Sequence, residues 1–221
     1  MESFFGRWIM TNEPKHVNVH IKAPYSTLNE LTEKTERVWL VFHGYGQLAE
    51  FFIRKFNSLD PEKNFIIAPQ GLSKYYLEGF YGRVGASWMT KEDRLTDIAN
   101  QYAYIDAVLE SVGDISKKQL IYFGFSQGTA TMGRYAAHAK IPFEKMIIWA
   151  GTFPPDIDTQ EYNFLTRNES IDYYTSKEDP FFKEEMISNQ NEVVEKTLGM
   201  TPQLHWYEGG HTVIPEIVNA I

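Results

Sequence analysis

The stretch QLIYFGFSQGTATMG, residues 119–133, contains an apolar run that stops at a serine between two glycines. The run LIYFGF has the β-branched and aromatic composition of a buried strand, and the small residues after it are typical of a helix start. Ser126 is therefore predicted at a strand-to-helix turn, where Gly124 and Gly128 avoid side-chain clashes. A helix-capping serine would suit this position, but the segment also matches G-x-S-x-G, in which the turn exposes a nucleophilic hydroxyl.

Apolar segments of the same kind recur along the chain, separated by stretches with helical spacing. The predicted strands are residues 17–21, 37–44, 64–71, 119–126, 145–152, 171–176 and 203–210. Several are apolar almost throughout, which indicates strands covered by helices on both faces of a mostly parallel sheet with right-handed crossovers. The segment VNVHI at 17–21 alternates instead and is assigned to an antiparallel edge strand. With no internal repeat or linker, residues 1–221 are predicted to form a single α/β domain.

Composition excludes several functional classes. The 221 residues carry a net charge of −8, and no cluster of lysine or arginine indicates a nucleic-acid partner. The start, MESFFGRWIMTNEPKH, has too short an apolar segment for a signal peptide, and no segment resembles a membrane span. We therefore expect a soluble, cytoplasmic protein without stable membrane insertion. The chain has no cysteine, which excludes disulfides, cysteine nucleophiles and thiolate metal sites.

A serine hydroxyl is a poor nucleophile at neutral pH and needs a general base with a group that orients it. In an open α/β sheet such groups are expected just after the strand ends. His211 follows the last predicted strand in WYEGGHTVIPEI and is the candidate base. Asp179, in SKEDPFF past the preceding strand, is the candidate acid, with Asp156 and Asp158 as alternatives.

The oxyanion formed on attack needs backbone donors that are already in place. One is expected to be the N–H of Gln127, directly after the serine. The other is assigned to Tyr45 in VFHGYGQLAEFF, with Gly46 as the alternative. The interpretation that His43 and its glycines only shape a turn is compatible with this role. A phosphate loop is disfavoured, because no Gly-Lys-Ser/Thr follows.

No metal or other cofactor is expected. His16 and His20 are close in sequence, but no obvious third ligand accompanies them. Both are interpreted as surface or packing histidines near the predicted edge strand.

A series of short motifs, taken in order, resembles the phospholipase/carboxylesterase family of α/β-hydrolases, which includes carboxylesterases, lysophospholipases and acyl-protein thioesterases. The motifs are HGYG (43–46), APQG (68–71), ASW (86–88), GFSQG (124–128), WAGTFP (149–154), EDP (178–180) and GGH (209–211). The resemblance spans about residues 37–214 and implies an α/β-hydrolase fold. It also implies Ser126, Asp179 and His211 as a catalytic triad, with Tyr45 and Gln127 at the oxyanion hole.

The chain departs from the family directly after Ser87 and Trp88. Met89 and Thr90 follow Trp88, where the family commonly has an aromatic and an acidic residue, so the substrate stays open. Trp88, Tyr81 and Phe80 are predicted to line an apolar substrate groove, the alternative being a plain covering loop. Few residues separate WAGTFP from the next strand, so we expect no large lid and an open site.

The sequence thus predicts a serine carboxylesterase that hydrolyses short- to medium-chain acyl esters through an acyl-enzyme, without a cofactor. A lysophospholipase or an acyl-thioesterase would use the same parts, and the sequence does not separate them. From another class, the alternative is a non-catalytic ligand-binding protein on a hydrolase scaffold. The partner is a small-molecule ester, and the oligomeric state is left open.

Overall fold

The computed structural model describes residues 14–181 and 183–221. The strands of this part of the chain are β1 (Tyr25–Leu28), β2 (Arg37–Phe42), β3 (Asn64–Pro69), β4 (Ser73–Tyr76), β5 (Val84–Ser87), β6 (Gln119–Phe125), β7 (Lys145–Trp149), β8 (Ser170–Thr175) and β9 (Gln203–Trp206). The helices are α1 (Ala49–Phe52), α2 (Arg94–Val112), α3 (Gln127–Ala139), α4 (Glu184–Leu198) and α5 (Pro215–Val218), with 3-10 turns at Ile53–Phe56 and Thr159–Tyr162.

The central sheet has the strand order β1-β3-β2-β6-β7-β8-β9. Every neighbouring pair from β3 to β9 is parallel, and only β1 runs antiparallel, against β3. Parallel neighbours need crossover connections, which the intervening helices and loops supply. The predicted mostly parallel sheet is confirmed, and the carboxyl ends of β6, β8 and β9 lie at one edge.

Side chains of β2 show how the sheet is buried on both faces. Val38, Leu40 and Phe42 pack into a core with α2, α3 and α4, whereas Trp39 and Val41 pack into a second core with α1 and α5. Successive strand residues point to opposite faces, so a run of apolar residues serves both cores. The prediction of helices on both faces is confirmed.

The antiparallel edge strand was assigned to the wrong segment. Residues 17–21 are irregular and exposed, and β1 at Tyr25–Leu28 makes the edge pairing instead. His16 contacts Asp93 and Thr96 at the start of α2, so the segment before β1 runs beside that helix. Alternation of apolar residues was the wrong criterion here, because the backbone pairing with β3 decides which segment becomes the strand.

Residues 71–88 form a β-hairpin rather than a plain loop. Strands β4 and β5 pair antiparallel, and Ala86 also forms a bridge with Gln47. A Cβ atom on Gly85 would lie 2.5 Å from the carbonyl oxygen of Gly46, so only glycine permits this approach. The hairpin therefore packs directly against the loop that follows β2.

The connection between β7 and β8 contains a single four-residue 3-10 turn and no large lid. Across the described residues, no helix is both long and apolar enough to span a bilayer.

Candidate active site

Ser126 lies directly after β6, at the first turn of α3. Its φ of 52° falls in a region that residues other than glycine rarely adopt, and its side chain makes no helix-capping hydrogen bond. A Cβ on Gly124 would lie 2.5 Å from Thr129 Cα, and one on Gly128 would lie 2.3 Å from the Phe42 carbonyl oxygen. The flanking glycines are therefore required by backbone contacts, and the serine hydroxyl is left free to meet another group.

That group is His211. Its Nε2 lies 2.8 Å from Ser126 Oγ, and its Nδ1 lies 2.6 Å from Asp179 Oδ2. A carboxylate only accepts hydrogen bonds, so Nδ1 carries the proton and Nε2 is free to accept from the serine hydroxyl. The structure thus brings together three side chains that follow the carboxyl ends of β6, β8 and β9.

The histidine and aspartate loops are fixed by local contacts. Asp179 is buried, and its Oδ1 accepts the N–H of Phe181 at 2.8 Å. The imidazole of His211 lies between the rings of Phe125 and Phe181, with centroids 4.9 and 4.8 Å away. Glu178 accepts the Gly209 N–H at 2.9 Å and so joins the two loops. Sequence reasoning did not identify this role of Glu178.

The alternative acids do not contact the histidine. Asp156 pairs with Arg134 at 2.6 Å and with Arg94 at 2.8 Å. Burial alone would raise the pKa of Asp156, but hydrogen bonds from the two arginines outweigh it and lower that pKa. Asp158 accepts the N–H of Gln160 at 2.9 Å, at the start of a 3-10 turn.

The two backbone N–H groups predicted to bind the oxyanion have no partner in the described part of the chain. Within the described chain, the N–H groups of Gln127 and Tyr45 donate to no protein acceptor. The N–H of Gly46, the alternative donor, already bonds to the Ala86 carbonyl at 2.8 Å. Hydrogen bonds between Gly44 and Gln47, in both directions, shape the turn that carries Tyr45.

His43 stabilises this turn through hydrogen bonds of its imidazole ring. Its Nδ1–H donates to the Gly44 carbonyl at 2.8 Å, and its Nε2 accepts the Gly71 N–H at 3.0 Å. Burial lowers the pKa of His43 to about 4, against the opposing effect of the bond to Gly44, so the ring is neutral at pH 7. The carbonyl of His43 accepts the indole N–H of Trp88 at 2.7 Å. The imidazole therefore joins the turn after β2 to the segment after β3.

The side chain of Gln127 is a second support, which no motif in the sequence indicates. Its Nε2 donates to the Met89 carbonyl at 2.9 Å and to Ser87 Oγ at 3.1 Å, and its Oε1 accepts the Trp88 N–H at 3.1 Å. These contacts, which we call the Gln127 clamp, hold the end of the hairpin against the nucleophile turn.

The residues predicted to line a substrate groove are separated by the fold. Trp88 is 1% exposed and packs on His43, with ring centroids 4.7 Å apart, so its ring is not available to a substrate. Phe80 and Tyr81 lie at the hairpin turn and are 83% and 85% exposed. The burial of Trp88 depends on the carbonyl of a residue far away in sequence, which motif reading does not reveal.

Comparisons with known proteins identify the family and agree with the fold. A family model described as phospholipase/carboxylesterase matches residues 24–221, although no curated protein sequence matches the chain. The structure is similar to a carboxylesterase from Mesorhizobium loti, with 14% identity, TM-score 0.66, and coverage of 90% of this chain and 93% of that one. It is also similar to acyl-protein thioesterase 2 from Zea mays, with 16% identity, TM-score 0.64, and coverage of 90% and 96%.

A third similar structure is a carboxylesterase from Bacillus cereus, with 14% identity, TM-score 0.62, and coverage of 90% of this chain and 91% of that one. At these identities the structural likeness establishes the fold, which is that of the α/β-hydrolases. Because the family model extends over nearly the whole described chain, the protein belongs to the phospholipase/carboxylesterase family.

Proposed function

We propose that the protein is a serine carboxylesterase that hydrolyses short- to medium-chain acyl esters. The observation that supports this most directly is the continuous hydrogen-bonded chain from Asp179 through His211 to Ser126. Family membership independently supports hydrolase activity. A non-catalytic binding protein would have no need of this chain or of the strained turn at Ser126.

In the proposed reaction, Ser126 Oγ attacks the ester carbonyl carbon while His211 Nε2 accepts the hydroxyl proton. Asp179 keeps the imidazole in the required tautomer and stabilises the imidazolium that forms. The N–H groups of Gln127 and Tyr45 donate to the oxyanion, near the positive end of the α3 dipole. His211 returns the proton to the leaving alcohol, and water then hydrolyses the acyl-enzyme by the same route. No step needs a cofactor.

The open site supports esters of short or medium chain length. The loop between β7 and β8 forms no large lid, and the exposed rings of Phe80 and Tyr81 are apolar surface that an acyl chain can contact. Trp88 is left out of this proposed substrate surface because it is buried. Acyl-thioesters are the second candidate substrates, since the structure is similar to an acyl-protein thioesterase from Zea mays.

A fluorophosphonate probe and a panel of 4-nitrophenyl esters of increasing acyl length test the proposal. We expect wild type to be labelled and active, and Ser126→Ala to be neither. Ser116→Ala removes an exposed hydroxyl elsewhere and is the matched control, which should behave as wild type. An unlabelled, inactive wild-type protein would leave the non-catalytic alternative. A matched pair of oxygen and sulfur esters compares the two substrate classes.

The cytoplasmic location expected from the sequence is kept as part of this proposal. Fractionation of cells that express the chain at its natural level tests it, with recovery in the membrane fraction as the contrary result.

A further inference from the structure

A cleft of about 580 Å3 opens between α1 and the arm of the β4–β5 hairpin, and we call it the α1–hairpin cleft. Its volume lies in the range of small-molecule sites. Its walls include Gln47, Leu48, Phe51, Lys55, Arg83 and Val84.

Three residues in the walls of the cleft connect it to segments of the candidate active site. It is lined by Gly46, which follows the proposed oxyanion donor Tyr45. Lys55 Nζ lies 3.4 Å from the hydroxyl of Thr212, the residue after His211. Phe52, also in the wall, stacks on Phe125 directly before the nucleophile, with ring centroids 6.1 Å apart. The walls of the cleft are therefore continuous with the segments that carry Tyr45, Ser126 and His211.

The charge of the cleft is opposite to that of the chain. The sequence carries a net charge of −8, yet the cleft is lined by Lys55 and Arg83 and by no carboxylate. Among the described residues, neither cation forms an ion pair, whereas the buried Arg134 is paired with Asp156. A cation held in a pocket without a carboxylate retains its capacity to bind an anion.

The cleft also offers apolar surface next to the two cations. Phe51 is 53% exposed and Val84 is 38% exposed. A ligand suited to these walls has a short apolar segment that ends in, or passes beside, a negative group. Neutral acyl esters would supply neither cation with a negatively charged partner.

Building on the esterase function proposed above, we propose that the α1–hairpin cleft binds an anionic group of the ester substrate, a carboxylate or a phosphate, against Lys55 and Arg83. Arginine presents a planar fork of donors that matches such groups, and lysine adds a point charge. The anion can belong to the acyl chain or to the alcohol, and the experiment separates these two sources.

The test compares kcat/KM for anionic esters and their neutral amides. The acyl-side pair is mono-4-nitrophenyl adipate and its ω-amide, and the alcohol-side pair is 4-carboxyphenyl butyrate and 4-carbamoylphenyl butyrate. We expect wild type to prefer the anionic member of one pair by about tenfold, as a charged hydrogen bond provides. This preference should weaken as salt is raised. It should fall toward one in Lys55→Met and Arg83→Gln, but persist in Lys74→Met, a control on the hairpin outside the cleft.

The outcomes separate this proposal from the esterase proposal. Hydrolysis of the neutral esters without any anionic preference, or with a preference that both cleft variants retain, overturns the cleft proposal and leaves the esterase intact. If no ester is hydrolysed, calorimetry with glutarate and inorganic phosphate tests the cleft alone. Binding by Ser126→Ala that Lys55→Met or Arg83→Gln weakens at least about fivefold supports it, and absence of binding overturns it.

Discussion

The last two strands of the sheet carry two histidine–aspartate pairs, one within the strands and one just beyond them. His205 of β9 lies 2.8 Å from Asp172 of β8, and His211 lies 2.6 Å from Asp179 in the loops after the same strands. The two pairs are nearly equal in sequence separation and in distance. Their surroundings differ, and that difference separates a structural pair from a candidate catalytic one.

The inner pair centres on the buried carboxylate of Asp172. His205 uses Nε2 to reach Asp172, whose other oxygen lies 3.0 Å from Lys145, and its ring stacks on Tyr174. The outer pair uses Nδ1 for the carboxylate and thereby directs Nε2 at a serine hydroxyl. In the outer pair the second ring nitrogen faces a serine hydroxyl. This contact, rather than the histidine–aspartate pair itself, allows the histidine to act as a base.

The largest difference between the two pairs is expected when each histidine is replaced in turn. His211→Ala deprives the serine of its base, so we expect kcat on 4-nitrophenyl esters to fall by roughly 10^6-fold with the thermal midpoint little changed. His205→Ala should leave kcat near wild type and lower the free energy of unfolding by about 1 kcal/mol. Steady-state kinetics and urea denaturation measure both. Equal losses of kcat would contradict the assignment of His211 as the catalytic base and of His205 as a structural residue.

Replacing the carboxylates extends the comparison. In Asp179→Asn the amide can donate to Nδ1, which favours the tautomer with a proton on Nε2, and we expect kcat to fall by roughly 10^4-fold. In Asp172→Asn the partly buried Lys145 loses its partner, so stability should fall by about 3 kcal/mol with kcat retained. Asp156→Asn is the parallel control, and a larger kcat loss there than in Asp179→Asn would reassign the acid.

Much of the outer site could be predicted because its signals are local. A strand followed by Gly-x-Ser-x-Gly indicates the turn at Ser126, and two glycines before His211 indicate a loop beyond a strand end. Six of the seven predicted strands exist, with ends shifted by a few residues. In each case the deciding residues are neighbours in sequence.

The missed features depend on contacts between distant residues. Residues 17–21 have the better alternating pattern, but β1 at Tyr25–Leu28 has the backbone pairing with β3. The neighbours of Trp88 in the sequence suggest a groove residue, but in the fold its ring packs on Phe42 and His43 and its indole N–H donates to the carbonyl of His43. The Gln127 clamp joins segments that are 38 to 40 residues apart. Spacing within a motif carries no information about such pairings.

His43 extends the comparison, because among the described residues no carboxylate is hydrogen-bonded to its buried imidazole. Burial lowers the pKa of His43 to about 4, below the ordinary value of 6.5, so the unfolded chain binds its proton first as pH falls. The stability due to neutral His43 is therefore complete above pH 6.5 and is lost as pH falls toward 4, by about 3 kcal/mol. Urea denaturation between pH 7 and 4 should give this loss in wild type and a smaller one in His43→Asn. His20→Asn, at an exposed histidine, is the control and should follow wild type.

The smallest effect is expected at the Gln127 clamp, which has no counterpart at the pair of His205 and Asp172. Gln127→Ala keeps the backbone N–H proposed for the oxyanion but removes every hydrogen bond of the Gln127 clamp, so the turn at Ser126 can shift. Small misplacements of reacting groups cost up to about 100-fold in rate, and we expect kcat to fall about 30-fold with KM little changed. Gln127→Glu can still accept from the Trp88 N–H but cannot donate to the Met89 carbonyl, so it should not restore kcat. A double-mutant cycle with Ser87→Ala, measured as kcat and as the rate of fluorophosphonate labelling, separates the clamp from general destabilisation. If the clamp positions the nucleophile turn, the losses in kcat should be non-additive. Additive losses that follow only the thermal midpoint would contradict it.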